Sequence, residues 1–296
     1  MLKIKRTIIL SFLLLLAVTL NAQQSKVNAA YTFLQQGKLD SAKACIDAAV
    51  VHPETQMDGQ AWYIRGFVYK TIYNQNEKAN KESKIRMEAL ISFKKSLSID
   101  TASENVQENI KNIKYLATTL YNDAAASLDT IDYKIAVRNF DIFREYYLLV
   151  NPSKENFKQK EIDFANAIAT VYTRIYEGDR KGKVDFLNLA KAAYNKALSF
   201  DPNNINANYN MGILYYNQAV NLINQSDYDL DIVALNDVQD NSINLFKSSL
   251  PFMEKAYSLD PNRRETLLGL SGIYFSLNEK EKSNEFKQKL EQIGNK

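Results

Sequence analysis

Along the chain, apolar residues recur at spacings of three and four rather than two, and the rhythm is clearest between Phe186 and Gln218. Ala190, Tyr194 and Ala197 fall on one stripe of a helix, which Asp201-Pro202-Asn203-Asn204 then breaks. Tyr209, Gly212 and Tyr215 repeat at threes on the next helix, and the missing side chain of Gly212 marks a point where another helix axis comes close. Comparable stripes return as Ala42, Ile46 and Ala49, as Ala89, Phe93 and Ser96, and as Ala136, Phe140 and Phe143. This patterning predicts an all-α chain of helical pairs. The small number of turn formers, 9 Gly and 5 Pro in 296 residues, agrees with long helices and argues against an all-β fold.

The stretch 186–218 resembles the tetratricopeptide repeat (TPR), in which a small residue, an aromatic, another small residue and a proline close one helical hairpin, and a Gly followed by Tyr opens the next. Trp62, Gly66 and Tyr69 are similar to the family's first-helix signature. Extended along the chain, the resemblance implies about six TPR-like hairpins, at residues 24–53, 59–101, 104–152, 160–202, 205–261 and 264–294. The hairpins are expected to stack into a right-handed superhelix, an α-solenoid, forming a single domain over 23–296. Two departures are visible: Thr101 stands where the family has Pro, and the third unit lacks a Gly at the close-contact point. Insertions are expected in the second, fourth and fifth units, at the polar run 73–86, at the loop 177–183 and at 217–246. Pro202 and Pro261 lie 59 residues apart, against a usual period of about 34. The two larger insertions read either as loops or as helical extensions with solvated Lys, Glu and Asp.

By the same resemblance, a concave groove would be lined from first helices by Tyr63 and Phe67 in the second unit, Tyr209, Ile213 and Tyr216 in the fifth, and Leu268 and Phe275 in the sixth. Some TPR domains place Lys, Arg and Asn at such positions to clamp a peptide carboxylate. Here the positions are largely aromatic or apolar, which points to stacking and apolar contact instead.

Residues 1–22 read as a cleavable signal peptide. Lys3, Lys5 and Arg6 precede the apolar run Thr7 to Leu20, which is short for a membrane span, and Ala22 supplies a small residue for cleavage. Its removal takes three basic residues and no acidic one, leaving the remainder with equal numbers of each, so no basic surplus for nucleic acid is expected. Cys45 is the only cysteine, which rules out an intrachain disulfide and reads as a helix-borne buried thiol.

Three stretches invite a chemical reading. His52, the only histidine, sits at a helix end beside Pro53, where a cation near the helix C-terminus is its ordinary role. Asp227, Asp229 and Asp231 open like a calcium loop, but Ile232 and Val238 occupy the positions that need Gly and Glu. The run 178–183 is one residue short of a phosphate-binding loop and has Val184 in place of Ser or Thr. No catalytic residue, cofactor or metal site is therefore expected. The sequence reads as an exported, non-enzymatic protein of the periplasm or cell envelope, or a secreted one, with no stable membrane span once the signal is removed. Its expected partner is an extended peptide or partner helix. Because aromatic side chains also stack on sugar rings, a carbohydrate- or peptidoglycan-associated module is the alternative.

Overall fold

The computed structural model describes residues 24–102, 104–154, 157–226 and 231–294; the signal segment 1–22 lies outside them. Among the described residues there are helices and turns and no strand, as the periodicity predicts. The helices are α1 (24–35), α2 (Leu39–Val50), α3 (Gly59–Ile72), α4 (Lys84–Ile99), α5 (Asn105–Ala125), α6 (Tyr133–Val150), α7 (Phe157–Gly178), α8 (Val184–Phe200), α9 (Ile205–Asn224), α10 (Ile232–Leu259), α11 (Arg264–Ser276) and α12 (Lys280–Gly294). They fall into two compact units, one of residues up to 127 with 134–153, the other of 128–133 with 154 onward. In each unit consecutive helices pair, α3 with α4 in the first, and α7 with α8, α9 with α10 and α11 with α12 in the second.

Three of the junctions between pairs share one local device. Asp100, Asp201 and Asp260 each follow the last residue of a helix in extended geometry, with φ of −125°, −139° and −141°. Each carboxylate then accepts a backbone N–H two residues on, from Ala102, Asn203 and Asn262. This turn forms with Thr101 as well as with Pro202 and Pro261, because the carboxylate supplies the acceptor whichever residue follows. After the first pair the chain turns differently, with Val51 still in helical geometry beyond α2, and inside that pair Gly37 at φ +72° closes α1.

The stripes read from the sequence are buried. Ala42, Ile46 and Ala49 pack with Val27 and Ala30 in the first unit, while Ala190, Tyr194 and Ala197 pack with Met211 and Leu214 in the second. Helices approach closely where glycine allows it: a Cβ on Gly66 would lie 2.6 Å from the Phe93 ring, and one on Gly212 2.5 Å from Met253 Cγ. In the third pair, which lacks such a glycine, aromatic rings fill the contact, with Tyr121 5.0 Å from Phe143 between centroids.

Both larger insertions are mainly helical. A π-helical turn, Tyr73–Glu77, continues α3, and α9 and α10 lengthen over most of 217–246. The expectation that the run 73–86 faces solvent holds only in part. Tyr73, Ser83 and Arg86 are buried, and Arg86 Nη1 donates to Asp123 at 2.6 Å.

A second polar network ties α2, α3 and α4 together. Arg65 donates to Asp47 at 2.8 Å, to Ser92 at 2.7 Å and to Glu88 at 2.9 Å, while Lys43 reaches Asp47 at 2.8 Å. Burial alone would raise the Asp47 carboxyl, but hydrogen bonds from Lys43, Tyr69 and Arg65 outweigh it and hold the group below the usual carboxylate range. A depressed folded pKa means that this contribution is complete above about pH 4 and is lost as the pH falls through the lower folded value. Asp47→Asn should therefore be less stable than the parent at neutral pH and lose less stability between neutral pH and about pH 3. Urea midpoints at the two pH values check this; equal losses in both proteins would show that Asp47 does not contribute.

Candidate binding faces

In the first unit, Asn28, Tyr31 and Gln35 share one face of α1, and Gln60, Tyr63 and Phe67 share one face of α3 at the same spacing. With Asn105 at the start of α5 they surround a cavity of about 650 Å³. Tyr63 meets Phe67 edge to face at 5.5 Å and touches the buried Phe93 ring at 6.3 Å. Burial, aided by Glu108 and Tyr31, pushes the Tyr63 phenol up, so it remains a neutral donor. Beside the cavity, Lys70 Nζ sits 5.1 Å from the Phe67 ring centre and 5.2 Å from that of Tyr115, and donates to Asn112 at 2.6 Å. Burial, with Lys111 adding to it, lowers the Lys70 ammonium, while Glu108 opposes the shift.

In the second unit, Tyr209, Ile213 and Tyr216 of α9 face Glu265, Leu268 and Phe275 of α11 across a cavity of about 600 Å³, which Lys287 of α12 also lines. Its floor is low because Gly272 lies under Tyr216; a Cβ there would come within 3.0 Å of the phenol oxygen. Leu268 is 62% exposed and Phe275 64%, unusual values for large apolar side chains on a packed helix pair. Arg263 lies over the Tyr209 ring at 4.2 Å and Lys287 over Phe275 at 5.6 Å. Burial raises the Tyr209 phenol, and Arg263 opposes the shift.

The seven residues singled out from the sequence thus lie in two places. Tyr63 and Phe67 line the cavity of the first unit; Tyr209, Ile213, Tyr216, Leu268 and Phe275 line that of the second. Sequence reasoning missed Tyr31 and the carboxamides around it. A usable signal was present: a carboxamide stands three residues before a tyrosine at both 28/31 and 60/63, so the two pairs share helix faces.

Other residues given a chemical reading from the sequence make local contacts. His52 Nδ1 accepts the Glu54 N–H at 3.3 Å, closing the turn after α2. Asp231 caps α10 by accepting from Ala234 N at 2.8 Å, and Asp227 and Asp229 lie outside the described residues. Among the described residues no cluster of three or more His, Cys, Asp or Glu side chains could hold a metal ion. No described helix is long and apolar enough to cross a membrane. Cys45 is partly buried against the core of the first unit.

Two of the pairs close in Asp-Pro turns, at 201–202 and 260–261, and Gly66 and Gly212 mark close contacts between paired helices. Residues 187–218 match the TPR repeat family. That match spans most of α8, its closing turn and α9 through Gln218. No curated protein matches the sequence. Among solved structures, a TPR repeats protein from Bacteroides fragilis is 15% identical, with 92% of this chain and 97% of that one covered and a TM-score of 0.43. Pseudomonas aeruginosa pilF is 12% identical over 92% of each chain, with a TM-score of 0.34. YrrB, a TPR protein with an unusual peptide-binding site, is 17% identical over 82% of this chain and 89% of that one, with a TM-score of 0.27. The matched stretch carries both the stripe 190/194/197 of α8 and Gly212 of α9.

Proposed function

We propose that the protein is a non-enzymatic scaffold for protein–protein interaction in the cell envelope, and that the α9/α11 face seats an extended peptide or a partner helix. One observation carries this reading: Leu268 and Phe275 stand well exposed beside Tyr209 and Tyr216, over a floor kept low by Gly272. Apolar side chains left in water around a cavity recover their burial only when something covers them. Phe275→Ala should leave melting within about 0.5 kcal/mol of the parent, since the ring is mostly outside the core, while weakening partner capture by about 2 kcal/mol. Capture from envelope extract, identification of the captured protein and titration with both chains measure this, with deletion of 227–240 as the comparison. Capture lost only in the deletion would move the site to the α9/α10 extension.

Export completes the proposal. The charged, apolar and small-residue order of residues 1–22 supports removal of that segment, so mass spectrometry of the native protein should find Gln23 at or near the N-terminus. An intact Met1 on protein extracted from membranes would overturn export in soluble form.

A further inference from the structure

The cavities of the two units are lined by different chemistry. Around the α9/α11 cavity the polar groups include the charges of Glu265 and Lys287, whereas none of the residues lining the α1/α3 cavity is Lys, Arg, Asp or Glu. Polar function there comes from the carboxamides of Asn28, Gln35, Gln60 and Asn105 and the Thr71 hydroxyl. Each carboxamide offers donors and an acceptor in one planar group, which matches a ligand hydroxyl that is itself both donor and acceptor. The pair at the mouth is pre-set. Asn105 Nδ2 donates to Gln60 Oε1, which fixes the two groups and leaves the Gln60 amide as donor and the Asn105 oxygen as acceptor. Thr71 already donates its proton to Phe67 O at 2.8 Å and so presents lone pairs.

An anionic ligand would find no counter-charge in this lining, since Lys70, beside it, lies over the Phe67 and Tyr115 rings with its ammonium donating to Asn112, and an unpaired buried charge is costly. Apolar contact comes from Tyr31, Tyr63 and Phe67, and Tyr31 is 49% exposed. The polarised C–H bonds on one face of a sugar ring complement the negative face of an aromatic ring, while the equatorial hydroxyls reach outward to the amides. A volume of about 650 Å³ falls in the range of pockets that enclose small ligands, roughly 300–1,000 Å³. We propose that the α1/α3 cavity is a binding site for an uncharged carbohydrate, one or two rings deep, held by stacking on Tyr31 and Tyr63 and by hydrogen bonds to the carboxamides. The site lies in the other unit from the proposed peptide seat and does not depend on it.

The full chain, applied to a glycan array that carries neutral, carboxylated and sulfated oligosaccharides, should retain neutral glycans in preference. Calorimetric titration of the best neutral glycan should then show affinity falling about tenfold or more in Tyr31→Ala and in Gln60→Leu, and unchanged in Phe275→Ala. Tyr31 and Gln60 are both exposed, so these variants keep the fold. Retention of no neutral glycan, a preference for sulfated ones, or equal affinity in the parent and in both variants would overturn the assignment. So would displacement of the glycan by an uncharged peptide that binds more tightly, which would give the cavity to a peptide. Loss of partner capture in Phe275→Ala without loss of glycan binding separates the two sites.

Discussion

Replacing Arg86 with Leu is expected to cost about 3–5 kcal/mol of folding stability, the largest effect of a single substitution foreseen in the first unit. The Arg86 side chain is only 1% exposed, and it donates from Nη1 to Asp123 at 2.6 Å and to the hydroxyls of Tyr73 and Thr119, both at 3.2 Å. Nη2 donates to Lys81 O at 2.9 Å. One cation therefore ties the π-helical turn after α3, the start of α4 and the C-terminal half of α5. Removing it strands the Asp123 carboxylate, itself 21% exposed, and leaves the Lys81 carbonyl without that donor. Nε has no partner, so the network is not fully satisfied even in the parent. A double replacement, Arg86→Leu with Asp123→Leu, should accordingly recover much of the loss, because the cost lies in the uncompensated charge rather than in the absence of the pair. Urea unfolding of the parent, single and double variants decides the matter. A double variant no more stable than Arg86→Leu would show that the guanidinium acts through its shape and packing.

That buried arginine also marks where the sequence stopped being legible. Helical pairs could be read because they repeat a local rule, a stripe at spacings of three and four, which in three of them runs into an Asp whose carboxylate closes the turn, as at Asp201 and Asp260. Arg86 obeys no local rule. It sits at the end of a run rich in Lys, Glu and Asn, and only the arrival of Asp123, 37 residues later, makes its burial favourable. The binding faces divide in the same way. Tyr209, Tyr216, Leu268 and Phe275 stood out because large apolar residues fall at first-helix positions that resemble the groove-lining positions of the TPR family. Asn28, Gln60 and Asn105 did not stand out, since an exposed carboxamide on a helix looks the same whether it faces open solvent or a cavity. Their meaning comes from α1, α3 and α5 converging, and no periodicity in one helix records that.

Gly212→Leu is expected to destabilise the second unit by about 1–3 kcal/mol or more, although intrinsic propensity favours the change. Glycine within a helix is worth about 0.8–1 kcal/mol less than alanine, and Leu is among the better helix formers, so an exposed Gly212 would be stabilised by the replacement. What opposes it is Met253 on α10. A Cβ at position 212 would lie 2.5 Å from its Cγ and 2.7 Å from its sulfur, with the Met253 backbone nitrogen at 3.4 Å. The thioether can swing aside, but the backbone cannot, and Ser249 Oγ holds the two helices together by donating to Gly212 O at 2.7 Å. A bulky side chain must therefore part α9 from α10 or strain the pair, and both lose packing. Gly178 serves as the comparison, because a Cβ there meets nothing within 4 Å, and Gly178→Leu should stay within about 0.5 kcal/mol of the parent. Met253→Ala opens the space that the new side chain needs, so Gly212→Leu with Met253→Ala should lose less than the sum of the two single losses. Thermal unfolding of the four variants measures these differences. If Gly212→Leu melts with the parent, or if the losses simply add, then Gly212 and Met253 do not share the contact that sets the spacing of α9 and α10.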